Sequence, residues 1–167
     1  IDVESMTVIK RIPTGSVPHP GSGATWEWDG TEYGATVHAG EGKATIWNLD
    51  TNEFVGSVPT AGAGLFIRAH HESPYVWADA MFAEQPNSIT VFSKEPPFAV
   101  VGTITEGERT LHPEFTKDGD FAYVSDWDGH LVRVYDAHTL EKVAEIAGID
   151  NPTGIFNSSR RLETLGH

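Results

Sequence analysis

A short phrase recurs along the chain at nearly constant spacing, and this repeat restricts the possible folds more than any other feature. The phrase begins with Ile or Val, continues through residues such as Thr, Ala and Gly, and starts at Ile12, Val58, Ile104 and Ile146. Successive copies start 46, 46 and 42 residues apart, a period that is typical of the four-stranded blades of β-propellers. The repeat therefore predicts a series of small antiparallel sheets.

Each unit between the phrases contains four short runs of alternating or β-branched residues, separated by turns rich in Gly, Asn and Asp. The predicted strands cover residues 24–28, 33–38, 43–49 and 53–58, then 65–69, 75–79, 88–92 and 99–104, then 113–116, 121–125, 131–136 and 142–146. No stretch carries the 3.6-residue apolar period of a substantial helix. The predicted fold class is all-β, and the architecture is a β-propeller.

The 167 residues supply about three blades of a partial propeller. The blades are predicted over residues 16–58, 62–104 and 108–146, with one additional strand at each end, over 6–12 and 154–157. A propeller ring typically closes with four to eight blades. The remaining blades must therefore come from another segment of polypeptide or from another chain, which includes a second copy of this one.

Charge and cysteine content exclude several classes of function. The chain has 11 Lys and Arg against 24 Asp and Glu, a formal net charge of -13, which disfavours nucleic acids and anionic membranes as partners. The sequence contains no Cys, so it can hold neither a disulfide nor a c-type haem attached through C-x-x-C-H. No apolar run is long enough to span a bilayer, and no signal peptide follows Ile1, as expected of a cytosolic, processed or internal segment.

The segments that lead into the first strand of each blade lie on one face of a propeller, around the mouth of its central channel. These lead-in segments cover residues 16–23, 61–64, 108–113 and 150–154. They bring together His19 and His112, each followed by Pro, with Gly-rich stretches and Thr153. Small residues beside imidazoles leave room for a ligand whose polar edge accepts hydrogen bonds.

Aromatic residues on or beside the inner strands could wall a large flat ligand. They are Trp26, Phe66, Phe115, Trp127 and Phe156. Packing in the core is the commoner role of such aromatic residues, and both interpretations stay open for each of them.

A metal site is not predicted. His70 and His71 stand beside Glu72, but adjacent residues of a strand point to opposite faces. The run from Asp126 to Gly129 begins like a calcium loop but lacks the Gly and Glu that such a loop needs at later positions, and it is interpreted as a hairpin turn.

Five motifs together carry a family resemblance. The motifs PHPGSGATW, GATVHAGEGKATIW, GAGLFIRAH, HPEFTKDGDFAYVSDWDG and PTGIFN occur in this order through nearly the whole chain. They resemble the C-terminal part of the haem d1 domain of cytochrome cd1 nitrite reductase. This resemblance implies an eight-bladed propeller with haem d1 in the mouth of its channel, in a periplasmic protein that reduces nitrite to nitric oxide with electrons from a c-type cytochrome.

The resemblance also implies roles for individual residues. His19 matches a catalytic histidine that stabilises bound nitrite and donates protons, a role that suits imidazole because of its pKa near neutrality. Phe66 and Trp127 match residues of the haem pocket, and Thr153 and Gly154 match groups that bind haem carboxylates. With Ser22, Trp26, His38 and His112, these four residues make up the predicted cofactor-binding set.

Departures from the reductase pattern leave the role of the chain open. Ser22 stands where the reductases have Arg, which removes a bidentate anion donor, and His112 stands where they usually have Gln. The proximal haem ligand and the second distal histidine are expected in blades outside this chain. Two alternatives therefore remain: a haem d1 biosynthesis or carrier protein that acts on a haem d1 precursor, and a haem-free interaction scaffold.

Overall fold

Three four-stranded antiparallel sheets make up the computed structural model, which describes residues 1–154. In every sheet the strands pair in the order in which they follow one another along the chain, so each sheet is a meander of hairpins. A 3-10 turn at Pro20–Ser22 precedes the first strand. The strands are β1 Ala24–Trp28, β2 Thr31–Val37, β3 Lys43–Asn48, β4 Phe54–Pro59, β5 Ile67–Ala69, β6 Tyr75–Asp79, β7 Ser88–Ser93, β8 Val100–Thr105, β9 Thr110–Phe115, β10 Phe121–Asp126, β11 Leu131–Asp136 and β12 Lys142–Ala147. The all-β prediction is confirmed.

Turn chemistry and local hydrogen bonding explain where the strands begin and end. Asp29 and Gly30 both have positive φ, at 49° and 74°, which is the conformation that a two-residue hairpin turn requires. β5 begins later than the predicted residue 65 because the N–H groups of Leu65 and Phe66 donate to the carboxylate of Asp79 instead of to a neighbouring strand.

Two apolar clusters join the sheets face to face. Between the first two sheets, the Trp26 ring stacks on Tyr33 at 5.8 Å and meets Phe98 edge-on at 6.1 Å. Between the second and third sheets, fully buried Trp77 meets Phe115 edge-on at 6.1 Å. Burial of one large apolar side chain contributes about 1.5–3 kcal/mol, so these clusters align the inner strands β1, β5 and β9 beside one another.

The flanking strand predicted over residues 6–12 is not formed. This segment contains one end of an isolated bridge, from Asp2 to Thr7, and Val8 and Ile9 are 53% and 62% exposed. It was expected as the outer strand of a preceding blade, and a strand without a neighbour leaves its backbone N–H and C=O groups unpaired. The strand predicted over 154–157 lies outside the described residues except for Gly154, and the division into domains stays a prediction.

Candidate functional site

His19 is held at the boundary between the first and second sheets. Its backbone N–H donates to the Val37 carbonyl at 3.0 Å, and its Nδ1 lies 2.8 Å from both the Ser22 hydroxyl and the Leu65 carbonyl. The Ser22 hydroxyl also donates to this carbonyl. Ser22, a member of the predicted cofactor-binding set, is buried and supports the imidazole of His19. No residue in the described part of the chain bonds His19 Nε2, which leaves this nitrogen available to a ligand.

Phe66 lies between two imidazoles that come from neighbouring sheets. Its ring stacks on His112, with centroids 4.2 Å apart and planes 21° apart. His19 meets the same ring edge-on at 6.1 Å. Two lead-in segments and the residue just before β5 therefore build one aromatic surface, which we call the imidazole–phenyl shelf: His19, Phe66 and His112.

A bulge in β9 places His112 on this shelf. Leu111 pairs with Ser125 and Glu114 pairs with Tyr123, so two residues of β9 stand opposite one residue of β10. His112 has a positive φ of 53°, as the irregular residues of bulges often do. Its side chain leaves the regular alternation of the strand as a result.

The last lead-in segment closes on His112 from the other side. His112 Nδ1 donates to the Thr153 carbonyl at 3.3 Å. A Cβ placed on Gly154 would stand 2.1 Å from the same nitrogen, so a side chain at this position would displace the ring. Thr153 thus contributes its carbonyl to His112, and its exposed hydroxyl remains available for the ligand contact predicted from the sequence.

A buried ion pair lies behind the shelf, and sequence reasoning missed it. Arg68 Nε donates to Glu114 Oε1 at 2.8 Å, and the two side chains are 4% and 9% exposed. Arg68 also donates to the Ser22 carbonyl at 3.0 Å, so it ties all three sheets together. Charged residues inside the otherwise apolar inner strands β5 and β9 were the available signal.

His112 Nε2 contacts both members of this pair. It lies 3.1 Å from Arg68 Nη2 and 3.2 Å from Glu114 Oε1. Neutral imidazole accepts from Arg68, whereas imidazolium donates to Glu114. Burial raises the pKa of Glu114, but hydrogen bonds from His112 and Arg68 outweigh it and hold that pKa below its ordinary value. A carboxylate is therefore ready to accept from a protonated His112.

Asp79 is a second buried carboxylate that the sequence reasoning did not single out. It is 0% exposed and accepts hydrogen bonds from the backbone N–H groups of Leu65, Phe66 and His112. Burial raises the pKa of this carboxyl to about 6, although the three N–H groups oppose the change.

Three predicted site residues lie away from the shelf. Trp26 is in the core, where its Nε1 donates to the Lys94 carbonyl at 3.1 Å. Trp127 directly follows β10 in the third sheet, is half-buried, and donates its backbone N–H to the Arg109 carbonyl at 2.9 Å. Within residues 1–154, no ring contact joins Trp127 to the shelf. Packing against Phe98 of the second sheet determines the position of Trp26.

His38 is completely buried just after β2. Its Nε2 lies 2.9 Å from the Thr45 hydroxyl, and burial lowers its pKa despite the opposing charge of Glu41. Its carbonyl accepts the Gly64 N–H at 2.9 Å. His38 therefore supports the second lead-in segment from below and does not form part of the shelf.

Residues 1–154 contain neither a candidate metal site nor a membrane-spanning helix. His70 and His71 stack on each other at 4.3 Å, but no group of three or more potential ligands there could hold a metal ion. None of the helical turns in this part of the chain is long and apolar enough to cross a membrane.

Comparison with known proteins identifies the family. The profile described as the cytochrome D1 heme domain matches residues 1–161. The chain belongs to this family. The dihydro-heme d1 dehydrogenase of Pseudomonas aeruginosa is 33% identical over 97% of this chain and 33% of its own length. The nitrite reductase of Stutzerimonas stutzeri is 28% identical over 94% of this chain and 34% of its own length.

A solved structure agrees with this assignment. The dihydro-heme d1 dehydrogenase NirN, solved in complex with DHE, superposes with a TM-score of 0.90 at 30% identity, covering 97% of this chain and 35% of that one. Protein NirF of Stutzerimonas stutzeri is 24% identical over 93% of this chain and 38% of its own length. The cytochrome D1 heme domain chain described here thus spans about a third of the length of these relatives.

Proposed function

We propose that the imidazole–phenyl shelf forms part of the binding site for a haem d1-type macrocycle. The observation that carries this proposal is the placement of Phe66 between His19 and His112, with the Phe66 and His112 rings stacked at 4.2 Å. A flat conjugated ligand gains most from contact with aromatic rings, together with a few well-placed polar groups. Membership of the cytochrome D1 heme domain family supports the identity of the ligand.

The polar groups around the shelf fit such a ligand. His19 Nε2 and the exposed Thr153 side chain are free of partners in the described part of the chain, and Gly154 lets backbone lie directly against His112. Thr153 and Gly154 would hold the carboxylates of the macrocycle, while Trp127 would line the rim. The remaining blades of the ring would come from another segment or another chain.

We infer that the reaction is the oxidation of dihydro-haem d1, a haem d1 precursor. Identity is 33% with dihydro-heme d1 dehydrogenase against 28% with nitrite reductase, and the NirN structure superposes with a TM-score of 0.90. Dehydrogenation removes two protons and two electrons from the substrate. The Leu65 carbonyl holds His19 with its proton on Nδ1 and its lone pair on Nε2, so His19 would accept a proton, and a c-type cytochrome would receive the electrons.

Reduction of nitrite to nitric oxide is the second candidate. The match to nitrite reductase over 94% of the chain favours it. Bound haem d1 would supply the redox chemistry at its iron. His19 in its doubly protonated form would donate a hydrogen bond, and then a proton, from Nε2 to a nitrite oxygen. Both candidate activities imply the periplasmic location expected from the sequence resemblance.

The test compares the chain alone with a chimaera in which residues 1–161 replace the matched segment of dihydro-heme d1 dehydrogenase. We expect the folded chimaera to bind haem d1 with a new visible absorption band, and the chain alone to bind far more weakly because its ring is incomplete. A folded chimaera with no band would refute haem d1 binding and leave the scaffold alternative.

Turnover assays on the same chimaera separate the two activities. We expect conversion of dihydro-haem d1 in the presence of an electron acceptor, and loss of this conversion in His19→Gln. Nitric oxide formation from nitrite, without precursor conversion, would overturn the dehydrogenase assignment in favour of the reductase.

A further inference from the structure

Asp79 ends the second strand of the second sheet and lies beneath the imidazole–phenyl shelf. We propose that Asp79 is a positioning residue, which holds the Phe66–His112 stack by binding the backbone of both residues at once. Its effect on ligand binding rests on the proposed function of the shelf, whereas its effect on the stack itself does not.

The two carboxylate oxygens of Asp79 bind the backbone of two different blades. Oδ1 accepts from the N–H groups of Leu65 at 2.8 Å and Phe66 at 3.2 Å, and Oδ2 accepts from the N–H of His112 at 3.2 Å. A Cβ on Gly64 would stand 2.6 Å from Oδ1, so the lead-in backbone packs directly on this oxygen. A side chain with two acceptor oxygens is needed here, because the N–H donors approach from two different sheets.

The third sheet has a carboxylate with a cation partner at the corresponding strand end. Asp126 ends β10, accepts from the backbone of Glu108 and Arg109, and forms an ion pair with Arg133. Burial raises the pKa of Asp126, but the Arg133 hydrogen bond and the backbone donors outweigh this effect and lower it overall.

Asp79 has no such cation partner within residues 1–154. The titratable group that faces it is the His112 imidazole, from β9, while β5 and the segment before it contribute backbone N–H groups. Arg68, further along β5, is engaged by Glu114. Burying a carboxylate without a cation is costly, and the raised pKa of about 6 reflects that cost. The hydrogen bonds that Asp79 accepts from the N–H groups of Phe66 and His112 partly offset this cost.

Replacement of Asp79 by Asn tests this role at nearly constant volume. Asn keeps one acceptor oxygen but replaces the other with an NH2 donor, which would face an N–H group. Either the backbone of Leu65 and Phe66 or the backbone of His112 must then lose its hydrogen bond to residue 79. The Phe66–His112 stack should open even if the sheets stay folded.

The experiment uses proton NMR of the full chain, with the His112 ring signals assigned by comparison with His112→Gln. Stacking on Phe66 should shift the His112 ring protons upfield in the unmodified protein, and Asp79→Asn should abolish most of that shift. Thr90→Val is the matched control, because Thr90 is buried in the same sheet and its hydroxyl accepts the Ala61 N–H at 2.9 Å, without contact to the shelf. An unchanged shift in Asp79→Asn, or an equal loss in Thr90→Val, would overturn the proposal.

A second measurement keeps the test decisive if Asp79→Asn does not fold. In the unmodified chain, the carboxyl carbon of Asp79 and the amide signals of Leu65, Phe66 and His112 should titrate together. Amide chemical shifts of these three residues that stay constant while the Asp79 carboxyl titrates would overturn the proposal. In the haem d1-binding chimaera, Asp79→Asn should also weaken binding at least fivefold; failure of the unmodified chimaera to bind would contradict the proposed function but not the NMR result.

Discussion

Arg68 and Glu114 form a buried ion pair across the boundary between the second and third sheets, with Nε and Oε1 2.8 Å apart. His112 Nε2 lies within 3.2 Å of each of them. The same pair therefore stabilises the packing of the blades and surrounds a nitrogen of the candidate site.

Removal of one partner of this pair should be strongly destabilising. We expect Glu114→Gln and Arg68→Met each to lower the free energy of unfolding by about 3–5 kcal/mol, since each leaves an unpaired charge or donor in the interior. The double variant Arg68→Met/Glu114→Gln should cost less than the sum of the single variants. Urea unfolding of all four proteins measures this, and strictly additive losses would contradict a direct pairing.

The stability of the protein should depend on the ionisation of Asp79. Because burial raises the pKa of this carboxyl to about 6 from an ordinary 3.8, the folded state keeps the proton at pH values where the unfolded chain has lost it. The contribution to stability is thus greatest below about pH 4 and declines as the pH rises to about 6. Relative to Asp79→Asn, the unmodified protein should lose about 2 kcal/mol between pH 4 and pH 7. Parallel stability curves for the two proteins would contradict the raised pKa.

Phe66 and Trp26 should respond differently to truncation. Phe66→Ala should weaken haem d1 binding by the chimaera about tenfold, because aromatic contacts contribute about 0.5–1.5 kcal/mol beyond the area buried. Trp26→Ala should instead destabilise the fold by about 3–5 kcal/mol, with normal haem d1 affinity in the fraction that remains folded. Absorption titrations and urea unfolding measure the two quantities, and a reversed pattern would move the site to Trp26.

His19 should affect catalysis more than ligand binding. His19→Gln should leave haem d1 affinity within a few-fold and reduce turnover about 100-fold, which is within the range for loss of a general acid or base. Ser22→Ala keeps the imidazole but removes its hydroxyl partner, so a smaller reduction is expected. A loss of haem d1 affinity of about 100-fold in His19→Gln, with unchanged turnover, would make His19 a binding residue only.

Much of the arrangement was predictable because it follows from local pattern. The predicted limits of β1, β6 and β11 coincide with the observed Ala24–Trp28, Tyr75–Asp79 and Leu131–Asp136, since alternation and turn residues act over a few positions. The propeller repeat also predicted that the lead-in segments share one face. Six of the nine predicted site residues accordingly lie together: His19, Ser22, Phe66, His112, Thr153 and Gly154.

The sequence alone thus determined the all-β repeat and the face on which the histidines meet, because both depend on spacing along the chain. Only the tertiary structure decided that Trp26 packs in the core, that a bulge turns His112 toward Phe66, and that Asp79 binds both of their N–H groups. Such contacts join residues on different blades; Arg68 and Glu114 are 46 positions apart. Whether a buried charge finds its partner depends on how the sheets pack, which no local pattern specifies.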